Sequence, residues 1–503
     1  MFLDNYDEFD LNYNLDKIPQ YTLPNPLLFS DGNKIESIEE WEVIQRKKII
    51  SLFSDNLYGK IPGKFNNVEI ITKSVNKNFF NSLATKKEVQ IKFNDKIFID
   101  LLIFIPNNQP SPSPIFFGMN FFGNHTISNE NITTVSKRLT METDINYQKK
   151  NNLKKYLTKL RFDKKSILNA DLQEDNMGYE GIVHGGERIY FEDNMVGRVQ
   201  FNIYKKKLDL YEATAYIPIE LYSSKKNLNV AIHNSFAKAK IIDFDPEEVR
   251  GVASSRWPLE KILKKGYGIA TFYYGDIDPD YDDGFQNGIH QFFYKKNQTH
   301  PESNEWGSIS AWASGLSYCM DYFSKDMDID SKKVAVFGLS RLGKAALWAA
   351  ALDDRFALVI SGNSGNGGPT IWRRKIGETL YSMNRRYPHW LCKNSNKFNH
   401  KEEQLPFDQH ALLSLIAPRP LLIASAATDP LSDPIGEFCG AKYASKIYEF
   451  LKVEGLGINK IPSDEKFINS RIGYYIRKGK HDITESDWNN FILFADKHLR
   501  HKL

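Results

Sequence analysis

Cysteine is scarce in this chain. Cys319, Cys392 and Cys439 are the whole complement and show no CxxC spacing, which excludes a zinc ribbon and a disulfide framework. They read as small hydrophobes for a core. No apolar run approaches the ~18 residues of a membrane span, so no membrane partner is expected. The net charge of +4 is too small to argue for nucleic-acid binding. The first ten residues, MFLDNYDEFD, are acidic and mixed. They lack the basic start and apolar stretch of a secretory signal, so either the protein stays inside the cell or an export signal lies outside this sequence. There is no internal repeat and no low-complexity tract.

What is present is an ordinary globular composition, 41% hydrophobic and 25% charged. The 503 residues suffice for one large core with insertions or for two to three domains. Aromatic residues are plentiful, with 33 Phe, 25 Tyr and 8 Trp. Their faces suit sugar rings, although most of them will fill the core.

Residues 1–35 read as an extended lead-in punctuated by Pro19, Pro24 and Pro26. A helix is expected from Ser37 to about Tyr58, with Trp41, Ile44, Ile49, Ile50 and Phe53 as its apolar stripe. Alternation from Val68 to Ile105 predicts antiparallel strands with a turn at Asn94-Asp95. Ile115–Asn120 reads as a buried strand. From about Ser128 to Asp245 the chain is richer in Lys, Asn and Tyr and reads as an insertion. Within it Lys149, Lys150, Lys154, Lys155, Lys159, Arg161, Lys164 and Lys165 fall in a helical-looking stretch, taken as a solvated face. The sharper alternative is a surface for an acidic polysaccharide. Strand-like runs follow near Val199–Tyr204 and Ala213–Leu221. From Arg250 onward strands (Ile269–Tyr273, Val334–Phe337, Ala357–Ile360, Leu421–Ala424, Ile472–Ile476) alternate with helices (Trp257–Leu263, Ile309–Phe323, Glu485–Leu499). This predicts a mostly parallel sheet covered on both sides, and residues 36–503 are read as one α/β domain interrupted at about 128–245. Aspartates alternate in Asp276–Gly284 like a calcium loop, but Tyr281 stands where that loop needs glycine and no glutamate closes it. A turn capping the preceding strand is the reading.

The segment Val334-Ala335-Val336-Phe337-Gly338-Leu339-Ser340-Arg341-Leu342-Gly343-Lys344 runs from apolar strand through turn to helix. Ser340 sits where a nucleophile elbow would put it. Gly338 and Gly343 clear the crowding of such a turn, and the helix after it aims its N–H groups and positive dipole end at the serine. A serine hydroxyl needs a base, and the base needs an orienting carboxylate. Both belong at the carboxyl ends of later strands. Asp429 follows the Leu421–Ala424 strand and His481 follows the Ile472–Ile476 strand, in the order Ser…Asp…His. Asp433 and Glu437 remain alternative acids. His410 falls in a helical pattern and reads as structural, while His389 and His290 lie in loops that could line the cleft. Arg341 and Lys344 are cations at a helix start, where the dipole disfavours them. That placement favours a functional role, with Arg341 facing a developing oxyanion.

The motifs GLSRLGK (338–344), SGNGG (364–368), PHW (388–390), LPFDQH (405–410) and GKHD (479–482), with NFFGNHT (120–126), SRWP (255–258) and YGD (274–276) upstream, together resemble the glucuronoyl esterases of carbohydrate esterase family 15. The resemblance spans roughly residues 20–126 and 250–503. It implies an α/β-hydrolase fold, no cofactor or metal, and a monomer that is secreted or periplasmic. The implied reaction cleaves the ester between a (4-O-methyl-)glucuronate of xylan and a lignin alcohol, with a lignin–carbohydrate ester of glucuronoxylan as substrate. By the same resemblance Ser340 is the nucleophile, His481 the base and Arg341 an oxyanion-hole side chain, while Lys344 and Glu378 bind uronate hydroxyls. Three departures stand out. Asn363 occupies the place of the fungal acid, so Asp429 takes the bacterial position. Leu431 stands where a sugar-packing tryptophan is usual. The 128–245 insertion is long. A carbohydrate acetylesterase on the same fold and a non-catalytic carbohydrate-binding protein are the competing readings.

Overall fold

A strand whose residues are all apolar can be buried only if both faces of its sheet are covered. Val334–Leu339 is such a run, and all of it is buried. In the computed structural model it lies inside a nine-stranded sheet. The structure describes residues 11–500 apart from 66, 131, 151–154, 164, 167–186, 192–193, 200–203, 207–209, 225–226, 233–234 and 464. The chain opens with β1 (Glu69–Asn78), β2 (Ala84–Lys92), β3 (Phe98–Pro106) and β4 (Ser113–Asn120). There follow β5 (Lys155–Phe162), β6 (Glu187–Phe191), β7 (Asn194–Val199), β8 (Tyr204–Lys206), β9 (Leu210–Pro218), β10 (Asn227–Ile232) and β11 (Ser235–Ile242). The chain closes with β12 (Gly268–Tyr273), β13 (Ile329–Leu339), β14 (Leu358–Gly362), β15 (Leu421–Ala426) and β16 (Ile472–Arg477).

The large sheet has the order β1-β2-β3-β12-β4-β13-β14-β15-β16. From β12 to β16 neighbours run parallel, and β1 to β3 form an antiparallel edge. This is an α/β-hydrolase sheet. Alternate residues divide between two cores, as the period-two geometry of a strand requires. Val334 and Val336 pack with the helices Ser308–Phe323 and Arg341–Leu352 on one face. Ala335, Phe337 and Leu339 pack with Leu259–Lys264 and Glu485–Ala495 on the other. Among the described residues no helix is long and apolar enough to cross a membrane.

The expected helix near the start of the chain forms over Ile38–Asn56, with a π-turn at Trp41–Gln45. That wider turn rotates the stripe: Trp41, Ile49 and Phe53 are buried, while Ile44 is exposed. Cys319 and Cys392 are buried and Cys439 is half-buried; all three are free thiols.

Between β4 and β12 lies a second, seven-stranded antiparallel sheet, in the order β5-β11-β10-β6-β7-β9-β8. Because β5 pairs with β9 as well as with β11, β5, β11, β10, β6, β7 and β9 close into a ring, which leaves those strands no free edge. The ring has a core of its own around Leu160, Ala213, Ile217, Val230 and Ala239.

The lysine-rich stretch is corrected here. Ile145–Lys150 is helical and Lys165 lies in a helical turn, but Lys155–Phe162 is β5; positions 154 and 164 lie outside the described residues. Lys159 is fully buried and pairs with Glu248 (2.6 Å) and Glu212 (3.4 Å), while Arg161 reaches Glu212 across the strands at 2.8 Å. Opposite charges on paired strands override the local helical pattern. Of the two later runs, Ala213–Leu221 splits into β9 and a helix at Ile219–Ser224. Val199–Tyr204 falls between β7 and β8, with 200–203 outside the described residues.

Candidate active site

The elbow is built from steric necessity. Ser340 adopts φ 57° and ψ −130° between β13 and the helix Arg341–Leu352, a backbone state that a non-glycine residue holds at a cost on the order of 1–3 kcal/mol. Its neighbours leave no room for side chains. A Cβ on Gly338 would lie 2.2 Å from the Leu342 carbonyl oxygen, and one on Gly343 would lie 2.0 Å from Ser364 Oγ. The strained turn is held by the rim of the sheet, where Ser340 N–H donates to Gly362 O at 2.8 Å. The same ladder continues outward. Asn363 N–H donates to Ala424 O (2.8 Å), Ala427 N–H to Arg477 O (2.8 Å) and Thr428 N–H to Gly479 O (3.1 Å). These bonds carry the exits of β13, β14, β15 and β16 to one edge.

At that edge His481 Nδ1 and Asp429 Oδ2 are 2.7 Å apart. Asn363 Nδ2 donates to the same carboxylate oxygen at 3.3 Å. Burial alone would raise the Asp429 pKa. The imidazole's charge and hydrogen bond, with hydrogen bonds from Ser432 and Asn363, outweigh it and hold the carboxyl well below the usual range. The alternative acids are engaged elsewhere. Asp433 grips Arg374 through both oxygens (2.7 and 3.2 Å). Glu437 is fully buried, accepts Gly365 N–H at 2.9 Å and hydrogen-bonds Ser425 Oγ. Burial, aided by the nearby Asp429 charge, pushes its pKa up to about 8, so it is neutral where Asp429 is ionised.

Arg341 is held by Asp280. Its Nη1 donates to Asp280 Oδ2, which also accepts from Tyr274 Oη at 2.9 Å. Asp280 Oδ1 meets His389 Nε2 (2.9 Å) and Trp390 Nε1 (2.7 Å). Burial would raise the Asp280 pKa, but Arg341, His389 and Trp390 together hold it well below the carboxylate range. The guanidinium lies over the Trp390 ring at 4.9 Å, and that ring stacks on Tyr387 at 3.8 Å. Among the described residues the buried Arg341 Nε meets no acceptor, and the first N–H groups of its helix have no preceding turn to bond.

His389, expected on the cleft wall, is buried with its Nε2 against Asp280. This geometry makes it a support for Arg341, and the substrate-binding assignment is revised. The Asp276–Gly284 segment does more than cap a strand. Asp276 accepts from Asp100 N–H and Ser136 Oγ, Asp278 from Ser308 Oγ, and Asp280 anchors the arginine. His290 sits 3.2 Å from Asp278, and His410 meets Pro24 O at 2.9 Å.

Lys344 and Glu378 come together at 3.5 Å, with Arg386 4.0 Å from Glu378. Burial lowers the Lys344 pKa, partly offset by Glu378. Glu378 is placed by a run of paired cations. Arg373 binds Asp408 at 3.1 Å, Arg374 binds Asp433, and Lys375 reaches Glu402 and Glu403 at 3.2 Å each. Leu431, half-buried, presents its carbonyl to Glu378 N–H at 3.4 Å. Among the described residues no cluster of His, Cys, Asp or Glu is arranged to hold a metal ion.

Comparison with known proteins supplies a family. The model described as "Glucuronyl esterase, fungi" matches residues 252–452. The chain is 38% identical over 492 residues to carbohydrate esterase MZ0003 from an unknown prokaryotic organism, covering 97% of this chain and 92% of that relative. A solved structure of a promiscuous CE15 esterase from the marine bacterial metagenome is 37% identical, with a TM-score of 0.72 over 97% of this chain and 100% of that one. The glucuronoyl esterase from Solibacter usitatus is 33% identical, with a TM-score of 0.72 over 96% of this chain and 100% of that one.

Three outcomes test this geometry. Asp429→Asn should lower kcat for ester hydrolysis about 10⁴-fold through the wrong imidazole tautomer, while Glu437→Gln keeps the rate in the wild-type range. A loss in Glu437→Gln as deep as in Asp429→Asn would reassign the acid. Asp280→Asn should lower kcat about 10²-fold or more by loosening a donor and destabilise the fold by about 3–5 kcal/mol by stranding a buried cation, read by kinetics and thermal unfolding. The third outcome concerns pH. The Glu437 pKa is raised on folding, so its neutral form favours the native state below the unfolded pKa, and that advantage is lost as pH rises through about 8. The wild-type melting temperature should therefore fall relative to Glu437→Gln between pH 5 and 9; parallel curves would show that Glu437 is already ionised.

Proposed function

The chain belongs to the glucuronoyl esterases of carbohydrate esterase family 15, a family of carboxylic ester hydrolases, and on that premise we propose that it cleaves the ester joining (4-O-methyl-)glucuronate of xylan to a lignin alcohol through an acyl-enzyme on Ser340. The observation that carries this reading is the 2.7 Å His481–Asp429 bond, at the sheet rim that also presents the strained Ser340.

Ser340 Oγ attacks the ester carbonyl carbon as the imidazole of His481 takes its proton, and Asp429 stabilises the imidazolium. The carbonyl oxygen becomes an oxyanion facing the N–H groups at the start of the elbow helix and the guanidinium of Arg341. Such donors aimed at developing charge are worth about 2.7–4 kcal/mol each. Asp280 keeps the guanidinium from wandering. The tetrahedral intermediate collapses, and the alcohol leaves with the proton from His481. Water, deprotonated by the same imidazole, then attacks the acyl carbon and frees Ser340 and the uronic acid. Lys344 and Glu378 supply a donor and an acceptor for hydroxyls of the uronate ring, chemistry that an acetyl group does not need.

A panel of benzyl glucuronate, methyl galacturonate and acetylated xylan tests the substrate. Benzyl glucuronate should show the highest kcat/KM, and Ser340→Ala should lose about 10⁴-fold or more in kcat with an unchanged melting temperature. Preference for acetylated xylan would move the chain to the acetylesterases. Undiminished turnover by Ser340→Ala would remove that serine from the mechanism.

A further inference from the structure

The lead-in reaches the catalytic rim. Asn12 O accepts the Gly377 N–H at 2.8 Å, and Asn12 Nδ2 donates to Lys375 O at 3.1 Å. The two segments form an isolated antiparallel bridge, Asn12↔Gly377. Gly377 immediately precedes Glu378, and its left-handed φ of 67° leaves its Cα packed on the Leu431 carbonyl. A short run of backbone thus ties together the lead-in, the uronate-side carboxylate and the loop of the triad acid. Tyr13 is the next residue of the lead-in. The residue is 49% exposed, although Asn12 beside it is pinned by the bridge. Burial raises its phenol pKa, with the Arg386 charge opposing and the Glu378 and Asp429 charges adding to it.

We propose that Tyr13 is a sugar-contacting residue, an aromatic wall of the acyl-side pocket that lies against the pyranose ring of the uronate. The inference rests on the functional reading above and adds a residue to it. The floor of that pocket is polar, with Lys344, Glu378 and Arg386 matched to hydroxyls and carboxyl. A pyranose also has faces of C–H groups, which polar residues do not bury. An aromatic ring covers such a face with little loss of rotamer entropy. Leu431, on the adjoining loop, offers no ring. Tyr13 is therefore the exposed aromatic that the fold holds beside this floor.

The test is kinetic and calorimetric on the full chain. Tyr13→Leu should raise KM for both benzyl and methyl glucuronate about three- to tenfold, with kcat changed far less. Tyr13→Phe, which keeps the ring, should restore KM to near wild type. Titration of D-glucuronate, the acyl product, should show the same loss of affinity in Tyr13→Leu and reads the contact without turnover. An unchanged KM and affinity in Tyr13→Leu would overturn the proposal, as would Tyr13→Phe being as weak as Tyr13→Leu. An equal rise in KM on p-nitrophenyl acetate, which has no sugar, would assign the effect to the fold and overturn it too. A wild type that hydrolyses no glucuronate ester would sink the functional reading instead, and the titration would still decide the role of Tyr13.

Discussion

The parallel register from β13 to β16 is the constraint on which the site depends. Parallel neighbours put every carboxyl end at the same edge, so a residue just past each strand meets residues just past the others. Ser340 leaves β13, Asn363 leaves β14, Asp429 leaves β15 and His481 leaves β16. Their backbones remain rungs of one ladder for a residue or more beyond the sheet. Side chains 52 residues apart in the chain, His481 and Asp429, reach hydrogen-bonding distance without a long or flexible arm. The same ladder holds Ser340 in its unfavourable backbone angles through its N–H bond to Gly362 O, and the tight turn is open only because Gly338 has no Cβ to meet the Leu342 carbonyl.

Within that frame, pairing decides which buried groups are charged. Asp429 and Glu437 lie near each other and are both buried, yet they are held in opposite states. Asp429 faces an imidazole that becomes cationic. Glu437 faces a hydroxyl and a backbone N–H, neither of which compensates a full charge. Two carboxyl groups with their pKa values pushed apart divide the work without competing for the imidazole. Asp280 and Arg341 follow the same rule at the start of the elbow helix. A lone guanidinium in this place would be expensive to bury, and a carboxylate with four donors on it fixes both its charge and its direction.

What the sequence disclosed follows from the range of the interactions. Ser340, Asp429 and His481 were legible as candidates because each sits at a predictable place, one to five residues past an apolar strand, and the structure pairs Asp429 with His481. The choice among Asp429, Asp433 and Glu437 was not, since it turns on Arg374 and Ser425, partners brought in by the tertiary fold. Asp280 looked like part of a turn because three of its four partners are 61, 109 and 110 residues away. His389 was misjudged for the same reason. Glu378 came from family likeness alone, and Tyr13 from neither pattern nor likeness, because the lead-in finds its place only through a bridge to Gly377. The helical reading held at Lys149 and Lys150 but failed over Lys155–Phe162, where the cross-strand Glu212, invisible to a local window, pairs with Lys159 and Arg161.

The second sheet is joined to this chemistry by the segment that was read as a mere turn. Tyr216 of β9 donates to Glu142 at 2.9 Å and packs its ring on Tyr281 at 4.1 Å. Arg138, which bonds Glu142 at 3.2 Å, also donates to Asn287 O at 2.6 Å, at the far end of the aspartate segment. Burial raises the Glu142 pKa, with Arg138 and Tyr216 pulling the other way, so this dock is itself a balance between desolvation and pairing. Tyr281 follows Asp280 directly in the chain. The closed ring of strands therefore packs against the residue next to the carboxylate that holds Arg341. A closed ring has no edge strand left open to further pairing, and its contact with Tyr281 lies one residue from Asp280. With Arg341 as the proposed oxyanion donor, the middle of the chain bears on that donor through Tyr281 and Asp280.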